Sequence, residues 1–340
     1  MQDQRTIILG SNGVGKSNLL ESVEFLSQLR SSRAVNEKDL INYDSELSII
    51  KAQVDFKENL QINILRKSGK KIFVNDSLLK KQSNIKKYIR SVAFSSNDIN
   101  IVRGEPGLRR IWLDKVVAQM EPVYIELLAR FNKLLKQRSY FWRTGLSSNQ
   151  GSDPLLDSFD AQIALIGTRI FRRRRRAIAR LKPFVQYWHK YLSKDREIVD
   201  IDYCSSIPIE EDEEKIINNN FLEKLQNQRN LESITGKCSV GPHRDDINFL
   251  INKNLVRKFG SSGQQRTMIL ALKMAELDLL KKLIYVEPIL ILDDVLAELD
   301  VVRQNLLLEA VGSDGQCLIS ATHLDEFNKS FLINSQIIHL

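Results

Sequence analysis

The hydrophobic pattern at the start of the chain changes from a buried strand to an amphipathic helix. Residues 6–9 form a short apolar run of the kind that is buried in a sheet. Apolar residues then recur at helical spacing at Leu19, Leu20, Val23, Leu26 and Leu29. The pattern therefore predicts a strand, a loop and a helix in immediate succession.

The next segments alternate between strand and helix periodicity. Residues 46–74 alternate between apolar and polar positions, with a turn signal near their end, which predicts an antiparallel meander. Residues 91–94 predict another buried strand. Residues 108–143 and 155–181 show helical spacing and are separated by the small, polar linker 145–154. Two long helices joined by a short linker predict an antiparallel helical arm.

Strand patterns return in the last third of the chain. We expect strands at residues 195–204, 246–251 and 255–259, with an acidic run at 210–214 opening a helix between the first two. The predicted fold is α/β. A mixed sheet with flanking helices and the meander forms a head from residues 1–105 plus 237–340, and a mostly helical arm at 106–236 is inserted into it.

Composition and charge narrow the class of protein. The chain has 340 residues and 43% hydrophobic residues, enough for roughly two packed domains. No apolar run approaches the ~20 residues of a membrane span, no secretory signal is visible, and the three cysteines are scattered. These features predict a cytoplasmic protein without a membrane partner. The net charge of +8 is compatible with a polyanionic partner such as nucleic acid.

The loop between the first strand and helix matches the G-x-x-x-x-G-K-[ST] phosphate-binding pattern. Glycines at these positions let backbone N–H groups turn towards phosphates, and the following helix N-terminus favours anions. Lys16 can reach the β- and γ-phosphates, and Ser17 can offer its hydroxyl to Mg²⁺. The predicted nucleotide-binding residues are Gly10, Ser11, Asn12, Gly13, Val14, Gly15, Lys16 and Ser17.

Two carboxylates follow a second apolar strand at residues 288–292. A phosphate-loop ATPase needs a carboxylate at the end of such a strand to hold Mg²⁺. We assign that role to Asp293, together with Ser17. Asp294, one residue further on, is the predicted general base for the attacking water.

A second small-residue turn precedes another clear helix. It contains Ser261, Ser262, Gly263 and Gln264, and small residues at a helix N-terminus suit an anion. One chain does not need two phosphate loops for one nucleotide. We therefore expect this turn to cover the nucleotide bound to a partner subunit.

Five consecutive arginines, residues 172–176, lie within the second predicted arm helix. One interpretation is a solvated or ion-paired helix surface; the other is contact with DNA phosphates, for which arginine is well suited. The sequence leaves both open. The candidate DNA-binding residues are Arg169, Arg172, Arg173, Arg176 and Arg180.

Several motifs resemble those of known ATPases. Residues 261–264 resemble the signature motif of ATP-binding-cassette proteins, Asp300 their D-loop, and His323 their switch histidine, in the cassette order. The long insertion and further local matches resemble the RecF family of recombination and repair ATPases, which is related to the SMC proteins. The resemblance covers nearly the whole chain and is carried by residues 10–21, 94–98, 104–110, 113–114, 124–138, 241–246 and 292–300.

The resemblance implies a function and a mechanism. It implies a weak, DNA-stimulated ATPase that uses ATP and Mg²⁺, forms a head-to-tail homodimer on ATP, and serves replication, repair, recombination and the SOS response. It implies binding to double-stranded DNA near single-strand gaps, and help to RecO and RecR in loading RecA. Lys16, Asp294 and His323 would be catalytic, with His323 sensing the γ-phosphate.

Some points remain open at the level of sequence. RecF proteins usually begin with a strand pair ahead of the phosphate loop; its absence here predicts an unpaired sheet edge and a missing adenine contact. His243 and Arg244 fit a structural role as well as a role at DNA or nucleotide. The alternative functions are a transport-type cassette subunit, which predicts a shorter insertion, and a DNA-binding scaffold with negligible ATP turnover.

Overall fold

A computed structural model describes residues 4–31, 33–34, 36–144, 153–194, 197–207, 209, 212–283, 286–311 and 315–340. The chain forms two compact units. The first consists of Met1–Ile99, Tyr191–Lys194 and Arg266–Leu340, and the second of Asn100–Lys190 and Asp195–Gln265. Residues 145–152 of the predicted polar linker lie outside the described residues.

The described residues form the following strands and α-helices. The strands are β1 Arg5–Leu9, β2 Leu47–Val54, β3 Glu58–Leu65, β4 Gly69–Val74, β5 Ser77–Leu78, β6 Ser91–Ser95, β7 Val199–Cys204, β8 Asp246–Ile251, β9 Asn254–Leu255, β10 Ile289–Asp293, β11 Cys317–Ala321 and β12 Gln336–His339. The α-helices are α1 Lys16–Gln28, α2 Ile99–Arg103, α3 Pro106–Met120, α4 Tyr124–Arg143, α5 Pro154–Ser193, α6 Glu214–Asn227, α7 Arg229–Thr235, α8 Val256–Phe259, α9 Ser262–Leu283, α10 Val301–Ala310 and α11 Lys329–Ile333.

A five-stranded parallel sheet in the order β12-β1-β11-β10-β6 forms the centre of the first unit. Because the strands are parallel, the carboxyl ends of β1, β10 and β11 lie at the same edge, where nucleotide-binding sheets carry their ligands. The predicted unpaired sheet edge and missing adenine contact stay predictions, but β1 itself does not lie at an edge. The C-terminal strand β12 pairs along β1, and Leu340 N donates to Leu9 O at 3.0 Å, so β1 is an interior strand.

The predicted antiparallel meander is confirmed. Strands β2 to β5 form a separate four-stranded sheet, so the parallel and antiparallel strands of this unit lie in two sheets. Helix α1 packs on both. Its Leu20 lies among apolar residues of β1, β10 and β11, and its Phe25 and Leu26 belong to the core formed by the inner face of the meander. Helix α1 is thereby fixed directly behind the phosphate loop.

The second unit contains the long helices α3, α4 and α5 and the small antiparallel sheet β7-β8-β9. A buried ion-pair group holds α4, α5 and α7 together: Arg138 Nε lies 2.8 Å from Asp160 Oδ1, and Arg138 also pairs with Glu232. The second unit also includes residues 237–265, where β8 pairs with β7 over its whole length. The division into a head at 1–105 plus 237–340 and an arm at 106–236 stays a prediction.

The predicted strand at residues 255–259 was wrong beyond its first residue. Only Asn254 and Leu255 pair with β8, and the next four residues form the short helix α8. Val256 is buried, and its carbonyl accepts a hydrogen bond from Gly260 N at 3.0 Å. This i to i+4 bond closes a helical turn, so the chain enters α9 from a helix.

Candidate functional site

The phosphate loop has the backbone conformation that its glycines predict. Gly13 and Gly15 have φ values of 85° and 114°, in the left-handed region that residues with a Cβ rarely adopt. At Gly10, a Cβ would lie 2.9 Å from Val14 Cγ1. Lys16 is only 4% exposed, and its Nζ donates to Gly10 O at 2.7 Å. The lysine ammonium group is thus held inside the loop that would enclose the phosphates.

Ser17 and Asp293 fit the predicted magnesium ligands. Ser17 Oγ donates to Asp293 Oδ1 at 2.8 Å, which joins the start of α1 to the end of β10. Neighbouring oxygens around an octahedral Mg²⁺ ion lie about 3 Å apart, so both oxygens could contact one ion. Among the described residues, no three His, Cys, Asp or Glu side chains cluster as a metal site. The remaining ligands would have to be phosphate and water oxygens.

Arg33 is a contact of Asp293 that the sequence analysis missed. Its Nη2 lies 2.6 Å from Asp293 Oδ2, and the arginine side chain is 39% exposed. A guanidinium group on this carboxylate competes with Mg²⁺ for its negative charge. The pair joins positions far apart in the chain, and no local pattern identifies it.

Ser320 is a second residue that the sequence analysis missed. It is fully buried in β11, and its Oγ lies 2.9 Å from Asp293 Oδ1 and 3.1 Å from Asp294 Oδ1. The same oxygen accepts a hydrogen bond from Asp294 N at 2.8 Å. Asp294 has a φ of 52°, a left-handed conformation that is uncommon outside glycine and is often found at functional sites. Ser320 therefore holds both carboxylates; the available signal was a hydroxyl within an apolar strand.

We expect Ser320→Ala to lower kcat for ATP hydrolysis about tenfold, because Asp294 loses the hydroxyl that fixes its backbone and side chain. The ATP dissociation constant should change much less, since the phosphate loop is untouched. Steady-state ATPase rates and equilibrium ATP binding measure the two effects. Ser22→Ala is a matched control, because among the described residues the Ser22 hydroxyl bonds only Leu19 O, within α1. An unchanged kcat for Ser320→Ala would contradict the assignment.

His323 and Asp300 both precede short helical segments near the sheet. His323 is exposed directly beyond β11. Asp300 is the N-cap of α10 and accepts from Arg303 N at 3.0 Å; this bond, together with the Arg303 guanidinium, holds the pKa of Asp300 below its usual range. Among the described residues, neither is bonded to Asp293 or Asp294. Their predicted switch and D-loop roles stay predictions.

The predicted signature residues form the N-terminal end of α9. Ser261 and Ser262 are exposed. Ser261 N donates to Gln264 Oε1 at 2.7 Å, and Gln264 N donates to Ser261 Oγ at 3.2 Å. This reciprocal pair is a capping box, which leaves the serine positions facing solvent at the positive end of a long helix. The arrangement suits an anion brought by another molecule.

The arginine run of α5 divides into different environments. Arg174 is 3% exposed, and its guanidinium bonds Asp114 and Pro242 O, so it is structural. Three acidic residues, Glu121, Asp212 and Glu214, form ion pairs with the other members and with Arg169. Arg180 is exposed and has no ion pair among the described residues. Acidic residues of the same unit therefore neutralise much of the positive charge of these arginines.

His243 and Arg244 are held by the backbone of their own unit. His243 Nε2 lies 3.0 Å from Cys238 O, and Arg244 Nη2 donates to the same oxygen at 2.8 Å. Burial, reinforced by the nearby positive charge of Arg244, lowers the pKa of His243 to about 4. A neutral, half-buried imidazole bonded to a carbonyl favours the structural interpretation of this pair.

The lowered pKa of His243 predicts a pH dependence of stability. The unfolded state binds a proton below about pH 6.5, whereas the folded state resists it down to about pH 4, so stability falls as the pH drops through that range. We expect His243→Gln to reduce the loss of unfolding free energy between about pH 7.5 and about pH 5 by about 2 kcal/mol. Urea unfolding at both pH values measures this. Equal losses in both proteins would contradict it.

The phosphate loop and the aspartate pair at one edge of a parallel sheet define the first unit as a head of the ATP-binding-cassette class. The sequence model described as RecF/RecN/SMC N terminal domain matches residues 1–337. The chain is 47% identical over 335 residues to the DNA replication and repair protein RecF of Synechococcus sp. (strain CC9605), covering 98% of this chain and 92% of that relative. It therefore belongs to the RecF family.

Solved structures agree with this result. A structure of the recombination mediator protein RecF-ATPrS in the RecFOR pathway matches with a TM-score of 0.88 and 30% identity, over 96% of this chain and 89% of that one. An SmcHead bound to the C-winged helix domain of ScpA matches with a TM-score of 0.52 and 13% identity, over 99% and 86% of the chains, which shows a shared fold only. The predicted fold class is confirmed. Within the described residues, no helix is long and apolar enough to cross a membrane.

Proposed function

We propose that this protein is an ATP-dependent DNA-binding ATPase of recombination and repair. The observation that carries the proposal is the 2.8 Å bond between Ser17 Oγ and Asp293 Oδ1, which joins the phosphate loop to the carboxylate that a bound nucleotide requires. Relatives such as the RecF of Synechococcus are named for DNA replication and repair, and a similar solved structure is described as RecF-ATP. The similarity extends over the helical second unit, which a transport-type subunit would not need.

Each residue of the nucleotide site would have its own role in ATP hydrolysis. Lys16 would bind the β- and γ-phosphates, and Ser17 and Asp293 would hold Mg²⁺, which supplies neutralisation of the phosphate charge. Asp294 would accept a proton from water as the water oxygen attacks the γ-phosphorus and the bond to ADP breaks. Ser320 would keep Asp294 oriented for that transfer. His323 would hold the γ-phosphate.

The nucleotide would lie at the interface of a head-to-tail homodimer. Residues 261–264 of one protomer, of which Ser261 and Ser262 are exposed, would cover the γ-phosphate bound by the phosphate loop of the other. Asp300 would lie beside that interface. Loss of the γ-phosphate would loosen the dimer. ATP would thus act as a switch for a clamp on DNA in the cytoplasm.

The DNA partner would be duplex near a single-strand gap, with RecO and RecR assisting in the loading of RecA. Among the candidate arginines, Arg176 and Arg180 are the best placed for phosphate contact because both are exposed and Arg180 has no ion pair in the described part of the chain. Arg169, Arg172 and Arg173 would contact DNA only by exchanging their acidic partners for phosphates.

ATPase assays with and without gapped duplex DNA test the proposal. We expect slow turnover that DNA accelerates, and DNA affinity that falls steeply with salt. The double variant Arg176→Ala with Arg180→Ala should weaken DNA binding and reduce the log–log salt slope by about 2. Lys57→Ala, which removes an exposed lysine from the meander turn, is the control. Turnover that ignores DNA, with no DNA affinity, would contradict the proposal.

A DNA-binding scaffold with negligible turnover is the second candidate. The contact between Arg33 and Asp293 favours it, because a guanidinium group on the metal-binding carboxylate would have to move or share that carboxylate for catalysis. DNA binding without turnover in the same assays would support this candidate. Arg33→Ala would then be expected to raise the rate.

A further inference from the structure

Residues 261–264, here called the signature turn, depend on the orientation of the Gln264 side-chain amide. Gln264 Oε1 accepts the hydrogen bond from Ser261 N, and this bond folds the side chain back over the start of α9. The opposite orientation would point the Gln264 NH₂ group at the Ser261 N–H, placing two donors face to face. The position of Ser261 therefore requires that the Gln264 amide has one of its two orientations.

Glu197 selects that orientation. Gln264 Nε2 donates to Glu197 Oε1 at 2.7 Å, a charge-assisted bond that only the NH₂ side of the amide can make. A flipped amide would present its carbonyl to the carboxylate and lose both bonds together. Glu197 thus determines, through Gln264, how Ser261 is presented.

The same carboxylate contacts helix α5. Glu197 Oε2 lies 3.4 Å from Nε2 of His189, which is fully buried near the C-terminal end of α5, and the Glu197 side chain is 18% exposed. The carboxylate therefore bridges the long helix and the start of α9. Both contacts lie within the second unit.

We propose that Glu197 is a positioning residue for the signature turn, and that it links α5 to the loop that covers a partner subunit's nucleotide. The inference rests on the proposed function and extends it to a residue that does not itself contact ATP. Ser261 loses its fixed position when Glu197 is removed. The ATP bound by the phosphate loop of the same chain is unaffected.

Glu197→Ala tests the proposal. We expect kcat for ATP hydrolysis to fall about tenfold and ATP-dependent dimerisation to weaken by a similar factor, because a charge-assisted bond that orders the covering turn is lost. ATP binding to the single chain, measured at protein concentrations too low for dimers, stays at the wild-type value. Glu197→Gln retains an acceptor for Gln264 and recovers most of the activity.

Two further variants separate positioning from general stability. Lys182→Ala removes a different contact of α5, the 2.5 Å ion pair with Asp200 of β7, and should leave kcat and dimerisation unchanged. Gln264→Ala combined with Glu197→Ala should lose no more than Gln264→Ala alone, because both changes remove the same bond. This comparison shows whether Glu197 acts through Gln264, even where Glu197→Ala lowers the stability of the fold.

The outcomes are distinct from those of the proposed function. If Ser261→Arg abolishes ATP-dependent dimerisation while Glu197→Ala dimerises and hydrolyses ATP like the wild type, the role of Glu197 is wrong and the shared site stands. If the double variant loses activity additively, the role of Glu197 is also wrong. If wild-type protein neither dimerises on ATP nor responds to Ser261→Arg, both proposals are wrong.

Discussion

Asp294→Asn is expected to lower kcat for ATP hydrolysis by about 100- to 10,000-fold while leaving ATP affinity near the wild-type value. In the proposed mechanism the carboxylate would accept the proton of the attacking water, and an amide cannot accept that proton. Asparagine keeps the size of the side chain and can still contact Ser320 Oγ, so the site should remain folded. Because the γ-phosphate persists, the ATP-bound dimer should also live longer than that of the wild type.

Single-turnover hydrolysis and equilibrium ATP binding measure these two effects separately. Asp76→Asn is a matched control, since Asp76 is an exposed aspartate with a φ of 63° in the turn after β4. Its substitution changes the same functional group in a similar backbone conformation, far along the chain from the nucleotide loop. If Asp294→Asn retained wild-type kcat, Asp294 would not be the base.

The second large effect is expected for Ser261→Arg. A long cationic side chain at the exposed start of α9 should obstruct the surface that would cover a partner's nucleotide, and weaken ATP-dependent dimerisation at least about 100-fold. ATP binding to the single chain should persist, because the phosphate loop is unchanged. ATP hydrolysis should fall with the dimer.

Sedimentation with ATP and with a non-hydrolysable analogue measures the dimer. Ser233→Arg is the control, because Ser233 is an exposed serine on α7 and adds the same charge to a different surface. Full dimerisation of Ser261→Arg would mean that residues 261–264 do not cover a shared nucleotide.

Local features of the fold and site could be predicted from sequence, because short patterns encode them. The glycine spacing of the phosphate loop, the apolar run before Asp293 and the alternation of the meander each describe a single stretch of chain. The bond between Ser17 and Asp293 follows once both stretches are placed in one parallel sheet.

Residues that act through distant contacts could not be predicted in this way. Ser320, Arg33 and Glu197 have no motif of their own; their importance comes from side chains far along the sequence that folding brings to them. The arginine run illustrates the same limit, because its acidic partners lie outside α5. Glu121 precedes α5 by a whole helix, and Asp212 and Glu214 follow it. The pairing of β1 with β12 likewise joins the two ends of the chain.

The central claim is that each ATP site is shared between two chains, and a mixing experiment tests it most directly. Lys16→Met removes the ammonium group of the phosphate loop, and Ser261→Arg obstructs the signature turn. Each protein alone should be inactive. Mixed in equal amounts, they form heterodimers with one site that combines an intact Lys16 with an intact Ser261, so ATPase activity should reappear. A mixture that stays as inactive as its components would contradict the shared site.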